Sequence, residues 1–444
     1  MSDSLLSVGL DVGTTSTQLV VSRLTVENRA SSFAVPDMDI TERTVLYKSP
    51  VYFTPLLGEN LVDGSAIREI VQKEYQNAGI HREDVDTGAI IITGETSRKE
   101  NARAVLDALS DYAGDFVVAT AGPDLESVLA AKGAGATELS RTTGKPVLHM
   151  DIGGGTSNLA LIEDGKIVRT GCLNVGGRLI KFLKNGEITY VSPALSGIFE
   201  RKPGEIVTIT ELYELAEILT QALEMAAGLL EPTELMKQLL TRETERSWNP
   251  PNGEVVLSFS GGVADCIGSE LPWLQFGDLG PILGQTIRKS RLCQGQYALG
   301  RETIRATVIG AGSYSTQLSG STVYCQNVRF PLKNLPVVEN SSKIHEGSVV
   351  LSVPGIPSPT YSQVREIAQE LARNKPPELY ICLEADMAKA LGQALAARLP
   401  QQTRILCIDR VRVGEDSYLD IGEPVGGAFP VVVKTLVLER RKHE

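Results

Sequence analysis

Asp11-Val12-Gly13-Thr14-Thr15-Ser16-Thr17 and Asp151-Ile152-Gly153-Gly154-Gly155-Thr156-Ser157-Asn158 are two glycine-rich turns of one design, far apart in the same chain. Each closes an apolar run, with Leu5, Leu6, Val8 and Leu10 before the first and Val147-Leu148-His149-Met150 before the second. Each opens another, Gln18-Leu19-Val20-Val21 and Leu159-Ala160-Leu161-Ile162. Strand, tight turn and strand read as a β-hairpin, whose tip exposes backbone N–H groups and hydroxyls. Glycine lets the main chain approach a phosphate, and successive N–H groups form an anion nest. The leading carboxylate stands where a phosphate-bound Mg²⁺ and its waters need an oxygen ligand. Two such hairpins point to two similar domains gripping one nucleotide from both sides. Ordinary hairpin turns, with aspartates favoured by turn chemistry alone, are the plainer alternative.

Other nucleotide loops fit worse. Gly144-Lys145 is followed by Pro146 rather than Ser or Thr, so there is no Walker A loop. Neither Gly133-Ala134-Gly135 nor Gly310-Ala311-Gly312 is completed by a third glycine, which removes the Rossmann fingerprint.

The chain has 444 residues, enough for two to four domains at about 100–200 residues each. Its net charge of −11, from 43 basic and 54 acidic side chains, argues against a nucleic-acid or anionic-membrane surface. No apolar run approaches the roughly 18 residues of a spanning helix, and no signal peptide is recognisable. Six cysteines are scattered without a Cys-x-x-Cys pair, which sets aside zinc and redox motifs. A reduced cytoplasmic protein is the expectation.

Between the hairpins, strands are expected at 49–54, 89–92 and 116–119. Helices are expected over 65–76, around Ala102, Val105, Leu106 and Leu109, and over 124–132. That alternation argues for α/β layers. Beyond the second hairpin, residues 181–206 read as a variable hairpin region. Thr208 or Thr210 caps a long helix with Leu212, Leu215, Ile218, Leu219, Ala222 and Leu223 on one face. Val255-Val256-Leu257-Ser258-Phe259 is a buried strand running into Ser260-Gly261-Gly262.

The hairpin pair resembles the two phosphate loops of the actin, heat-shock chaperone and sugar-kinase ATPase superfamily. Ser260-Gly261-Gly262-Val263 looks like its adenosine loop, and Thr307-Val308-Ile309-Gly310-Ala311-Gly312-Ser313 resembles its second interdomain connector. The resemblance implies an α/β fold: a two-lobed actin-like ATPase of ribonuclease H-like domains, with ATP and Mg²⁺ as ligands. It assigns Asp11 and Asp151 to the metal or its waters. Gly13, Thr14, Thr15, Gly153, Gly154, Gly155 and Thr156 fall to the phosphates, and Gly261 and Gly262 to the adenosine side. Glu126, in the small-residue helix Leu125-Glu126-Ser127-Val128-Leu129-Ala130-Ala131, is nominated to orient the attacking water and joins Asp11 and Asp151 in the catalytic set. A solvated glutamate favoured by the helix dipole fits its position equally. Asn158 stands where heat-shock chaperones carry an aspartate, and Asp265 near where they set an arginine against the base. A slow ATPase is therefore implied.

Closer wording identifies one family. Leu6-Ser7-Val8-Gly9-Leu10-Asp11-Val12-Gly13-Thr14-Thr15, Gly88-Ala89-Ile90-Ile91-Ile92-Thr93-Gly94-Glu95, Cys172-Leu173-Asn174-Val175-Gly176-Gly177-Arg178 and Ala306-Thr307-Val308-Ile309-Gly310-Ala311-Gly312 resemble the ethanolamine ammonia-lyase reactivating factors. Leu332-Lys333-Asn334-Leu335-Pro336 and Asp420-Ile421-Gly422 extend the likeness to the C-terminal portion. Membership implies an ATP-driven chaperone that opens the adenosylcobalamin-dependent lyase, releases damaged cobalamin and admits intact cofactor. The lyase is then the partner, with no nucleic acid and no membrane. The oligomeric state is open, a homo-oligomer included, and a bacterial microcompartment is the alternative location. None of the four histidines lies in the Asp-x-His-x-x-Gly pattern by which many cobalamin proteins hold cobalt. His149 is most simply a core residue.

Three units are expected: a first ATPase lobe with an insertion over 1–145, a second over 146–320, and a C-terminal α/β region over 321–444. In the last, strands at 349–353, 379–382 and 405–408 alternate with helices over 362–373 and 386–397. A hairpin over 418–437 follows. A small-molecule kinase and an actin-like filament protein are the competing functions. No substrate-facing aspartate loop and no polymer motif is evident for either.

Overall fold

The computed structural model describes residues 3–13, 16–30, 38–57, 61–93, 101, 105, 109, 118–120, 123–241, 244, 248–314, 316–320, 322–339, 348–411, 413, 417–425 and 427–435. The first sheet grows from its hairpin. Strands β1 (Asp3–Val12) and β2 (Ser16–Asn28) pair antiparallel, β3 (Met38–Lys48) extends the meander, and the short β4 (Tyr52–Phe53) joins the start of β2. Strands β5 (Thr87–Ile92) and β6 (Val118–Thr120) add in parallel on the other side of β1. The order is β3-β2-β1-β5-β6. Every residue of β5 is buried, the signature of a parallel strand covered on both faces. The helix α1 (Gly64–Ala78) precedes it, capped by the Asp63 carboxylate, which accepts from Ala66 N, and ended by the left-handed Gly79.

The second sheet repeats the plan. Strands β7 (Val147–Ile152), β8 (Ser157–Glu163) and β9 (Lys166–Leu173) form the meander. A small hairpin, β10 (Ile180–Phe182) and β11 (Ile188–Val191), lies apart from it. Strands β12 (Val256–Ser260) and β13 (Tyr297–Leu299) then add in parallel, giving β13-β12-β7-β8-β9. Two sheets with this order, each a three-stranded meander followed by parallel strands, are the paired ribonuclease H-like domains of an actin-like fold.

Two helices, α2 (Pro123–Gly133) and α3 (Ala136–Thr143), follow β6. In the second lobe come α4 (Ile209–Ala226), α5 (Glu234–Leu239), α6 (Gly262–Gly268) and α7 (Gly280–Lys289). Helix α4 starts in a capping box between Thr208 and Glu211. Helix α8 (Ala306–Tyr314) then leaves β13. Each connector packs on the sheet it did not come from. Ser127 Oγ of α2 donates to Gly171 O of β9 at 3.3 Å, and Val308 and Ile309 of α8 pack on Val20 of β2.

The two connectors also cross each other closely. A Cβ on Gly133 would meet Ala306 O at 1.9 Å, and one on Gly310 would meet Leu129 O at 2.0 Å. Only glycine admits such backbone contact. Nearly every residue of α8 is buried, so its small apolar sequence shows no amphipathic stripe.

Helix α8 runs almost directly into β14 (Thr316–Leu318), an edge of a third sheet. That sheet contains β15 (Tyr324–Gln326), β16 (Leu332–Val338), β17 (Val350–Val353), β18 (Glu378–Leu383), β19 (Arg404–Ile408), β20 (Ser417–Ile421) and β21 (Pro430–Thr435). The order is β14-β21-β20-β16-β17-β18-β19-β15. Strands β16 to β19 are parallel to one another, with α9 (Tyr361–Leu371) and α10 (Ala388–Ala396) covering one face. The expected β-α-β-α-β run is present, and its hairpin joins the same sheet. Of the expected elements, the helix around Ala102 and Leu106 lies outside the described residues, as do Phe116 and Val117. Val105 and Leu109 are described, and both are buried in the first lobe's core.

The connector crossing makes a direct test. Gly310→Ala should lower stability by about 3 kcal/mol, near the upper end for overpacking, despite the gain in helix propensity. Gly295→Ala, where an added Cβ meets nothing within 4 Å, should leave stability within about 0.5 kcal/mol. Urea unfolding of both variants measures the difference.

Candidate functional site

Hydrogen-bond register places the two aspartates alike. Asp11 pairs with Gln18 and Val12 with Thr17 in the first hairpin; Asp151 pairs with Asn158 and Ile152 with Ser157 in the second. Each tip is closed by a glycine amide: Gly13 N donates to Ser16 O at 2.8 Å, and Gly153 N to Thr156 O at 2.9 Å. The tips face a common cavity of about 400 Å³ between the lobes.

Asp11, Gly13, Glu126, Asp151, Gly153, Gly154, Gly155, Thr156, Gly261 and Gly262 all line it. Thr14 and Thr15 lie outside the described residues. Gly261 stands where β12 turns into α6, at φ 87°, and a Cβ there would meet Ile152 O at 2.3 Å. Its glycine thus lets the turn lie against the second hairpin. Around Gly155 there is open space, as an approaching phosphate requires. The second tip is also clamped from below, since Gly177 N donates to Gly153 O at 3.0 Å and Arg178 N to Gly154 O at 2.7 Å.

The chain matches the family described as "Ethanolamine utilisation protein EutA" over residues 3–349 and 341–439. It is 37% identical to the ethanolamine ammonia-lyase reactivase EutA of Salmonella typhimurium, across 97% of this chain and 98% of that one. The Escherichia coli K12 reactivase of the same name is likewise 37% identical, with the same coverage. The chain belongs to the EutA family. Among solved structures, the Aquifex aeolicus member of the Ppx/GppA family is similar at 13% identity and TM-score 0.41, over 69% of this chain and 97% of that one. Among the described residues no helix is long and apolar enough to cross a membrane.

In this EutA-family cavity the electrostatics are dominated by acid. Asp11 opens onto the void but is ringed by protein, and desolvation lifts its carboxyl to about 7. A hydrogen bond from Thr93 Oγ1 at 3.0 Å works against the shift, while the facing Asp151 charge adds to it. Asp151 is raised to about 6 by burial, opposed by hydroxyl donors from Ser260 and Thr307. The only cation among the described lining residues is Arg178. Its Nε donates to Asp278 at 2.9 Å, and its guanidinium lies 5.5 Å from the Phe53 ring across the cleft.

The donors suit a hydrated magnesium ion. Among the described residues no three acidic, histidine or cysteine side chains converge as a metal cage. Two hard carboxylates facing one void match the way Mg²⁺ is bound with phosphate and water completing its shell. The buried Gln18 Oε1 and Asn158 Oδ1, opposite the two aspartates, lack hydrogen-bond partners.

Several of these residues were not singled out from the sequence. Gln18 was legible, because an amide stands at the same spacing from its aspartate in both hairpins. Thr93 follows β5, Ser260 ends β12 and Thr307 lies on α8; all three stand within the quoted motifs, but local sequence gives no sign that their hydroxyls reach the aspartates. Asp265, expected near the base, accepts from Thr303 Oγ1.

Both carboxyls have folded values above their ordinary range, so the folded protein holds protons that the unfolded chain releases. In EDTA, the contribution of these two carboxyls to stability should be greatest in acid and be lost as pH rises from about 4 through about 7; Asp11→Asn should remove most of that loss. Magnesium needs the ionised form. If the cavity takes Mg²⁺-ATP against Asp11, its affinity by calorimetry should weaken about tenfold from pH 8 to pH 6, with most of that dependence gone in Asp11→Asn.

Proposed function

We propose that this chain is an ATP-dependent reactivating chaperone of ethanolamine ammonia-lyase. It would release damaged cobalamin from the adenosylcobalamin-dependent enzyme and allow intact cofactor to replace it. End-to-end similarity to two reactivases of that lyase carries this reading. The cavity between paired phosphate-type hairpins supports the ATP dependence.

In this reading, glycine amides and hydroxyls of both tips hold the β- and γ-phosphates, while Gly261 and Gly262 border the adenosine. Asp11 and Asp151 hold Mg²⁺ or its waters. The ion supplies charge neutralisation at the phosphates. Glu126, half-buried on α2 and lining the cavity, orients the attacking water. An amide, Asn158, rather than a carboxylate opposes Asp151, so hydrolysis is slow.

The three units of this reading are 1–145, 146–320 and 321–444, with β14 at the end of the second pairing into the sheet of the third. Both hairpin tips would close on a bound nucleotide, and the crossed connectors, in backbone contact at Gly133 and Gly310, would turn that closure into relative motion of the lobes. Helix α8 continues into the C-terminal sheet, which would present the lyase-facing surface. Coupling of this kind requires the lyase to bind the open and closed forms differently. Its place of action is wherever the lyase is housed, a microcompartment included.

Lyase stalled with hydroxocobalamin should recover when given this protein, Mg²⁺, ATP and fresh adenosylcobalamin. Recovery should depend on ATP. Asp11→Asn and Asp151→Asn should fold, as judged by circular dichroism, yet lose at least tenfold in recovery rate. Full recovery without nucleotide would contradict the proposed mechanism.

A further inference from the structure

A line of hydrogen bonds runs from Asp151 into the centre of the second sheet. Strands β7 and β12 pair in parallel, with His149 opposite Ser258 and Asp151 opposite Ser260. Alternation puts these four side chains on one face. Ser260 Oγ donates to Asp151 Oδ1. His149 Nε2 lies 2.9 Å from that same Ser260 Oγ, and His149 Nδ1 lies 3.0 Å from Ser258 Oγ. His149 and Ser260 are wholly buried, and Ser258 nearly so.

With Asp151 ionised and the imidazole neutral, as its complete burial favours, the proton count along this line has one solution. A hydroxyl carries a single proton. Ser260 gives its proton to the carboxylate, so toward the imidazole it accepts, and His149 Nε2 must carry hydrogen. The neutral ring then leaves Nδ1 bare, and Ser258 donates to it. No water is needed to complete the chain.

We propose that His149 is a positioning residue for the magnesium-facing carboxylate. Its Nε2–H holds the Ser260 hydroxyl in the orientation that donates to Asp151 Oδ1. The other carboxylate oxygen, which Thr307 Oγ1 contacts at 3.4 Å, is thereby set toward the cation or its water. Partners behind a ligand commonly tune metal affinity by about 10–100-fold. The inference rests on Asp11 and Asp151 being the carboxylates of a Mg²⁺-nucleotide site.

The experiment measures magnesium-dependent binding of a non-hydrolysable ATP analogue, beside thermal melting in EDTA. His149→Gln keeps an N–H donor and should retain most of the magnesium dependence. His149→Met removes the donor at similar volume, and should weaken magnesium-supported binding about tenfold. Ser260→Ala should match it, and the double variant should be no worse than Ser260→Ala alone. Nitrogen NMR of the unaltered protein, with His149 assigned by its loss in His149→Gln, should show the Nε2–H tautomer.

Unchanged magnesium dependence in His149→Met would overturn the inference, as would an Nδ1–H tautomer. Equal losses in His149→Gln and His149→Met, tracking their melting temperatures, would reduce His149 to a packing residue and overturn it too. Absence of magnesium-dependent binding in the unaltered protein would instead remove the site reading itself, and the inference with it.

Discussion

Two carboxylates, stripped of bulk water and facing each other across one cavity, set the terms for this structure. Burial lifts both above their ordinary range, and the Asp151 charge makes that of Asp11 harder to sustain. Such a pair is poorly placed for stability and well placed for a cation. Hydroxyls from Thr93, Ser260 and Thr307 offset part of the desolvation. The hairpins keep the carboxylates fixed while leaving their tips open. Much of the surrounding architecture holds these two groups in opposition without letting the lobes collapse onto them.

That opposition depends on the connectors. Helices α2 and α8 exchange sheets and touch through backbone at Gly133 and Gly310. Backbone contact of this kind leaves little slack, because no flexible side chain lies between the helices. Thr307, on α8, reaches Asp151, while Glu126, on α2, lines the same cavity. The connectors thus carry chemistry-bearing side chains as well as mechanical load.

Much of the fold was legible because its signals are local. A glycine-rich tip between two apolar runs defines a hairpin wherever it occurs, and Thr208 with Glu211 marks the start of α4. The small residues of α8 announce close packing, though not its partner. What local pattern omits is pairing across distance. Strand β15 lies beside β19, and β14 beside β21; nothing in either short segment announces its neighbour. The cavity divides in the same way. Asp11 and Asp151 stood out by motif, whereas Thr93 and Ser260 reach them through sheet register.

The order of the third sheet bears on how the chain assembles during synthesis. Strand β21, the latest of its strands in sequence, lies inside the sheet between β14 and β20. Strand β14, made far earlier, has no strand beside it in this sheet until β21 arrives. The two ATPase lobes have all their described strands before that moment, so they can fold first. Completion of the third sheet waits for nearly the last of the described chain. Ribosomal truncation products lacking β21 would expose the edges of β14 and β20 together, a surface open to chaperones and to aggregation alike.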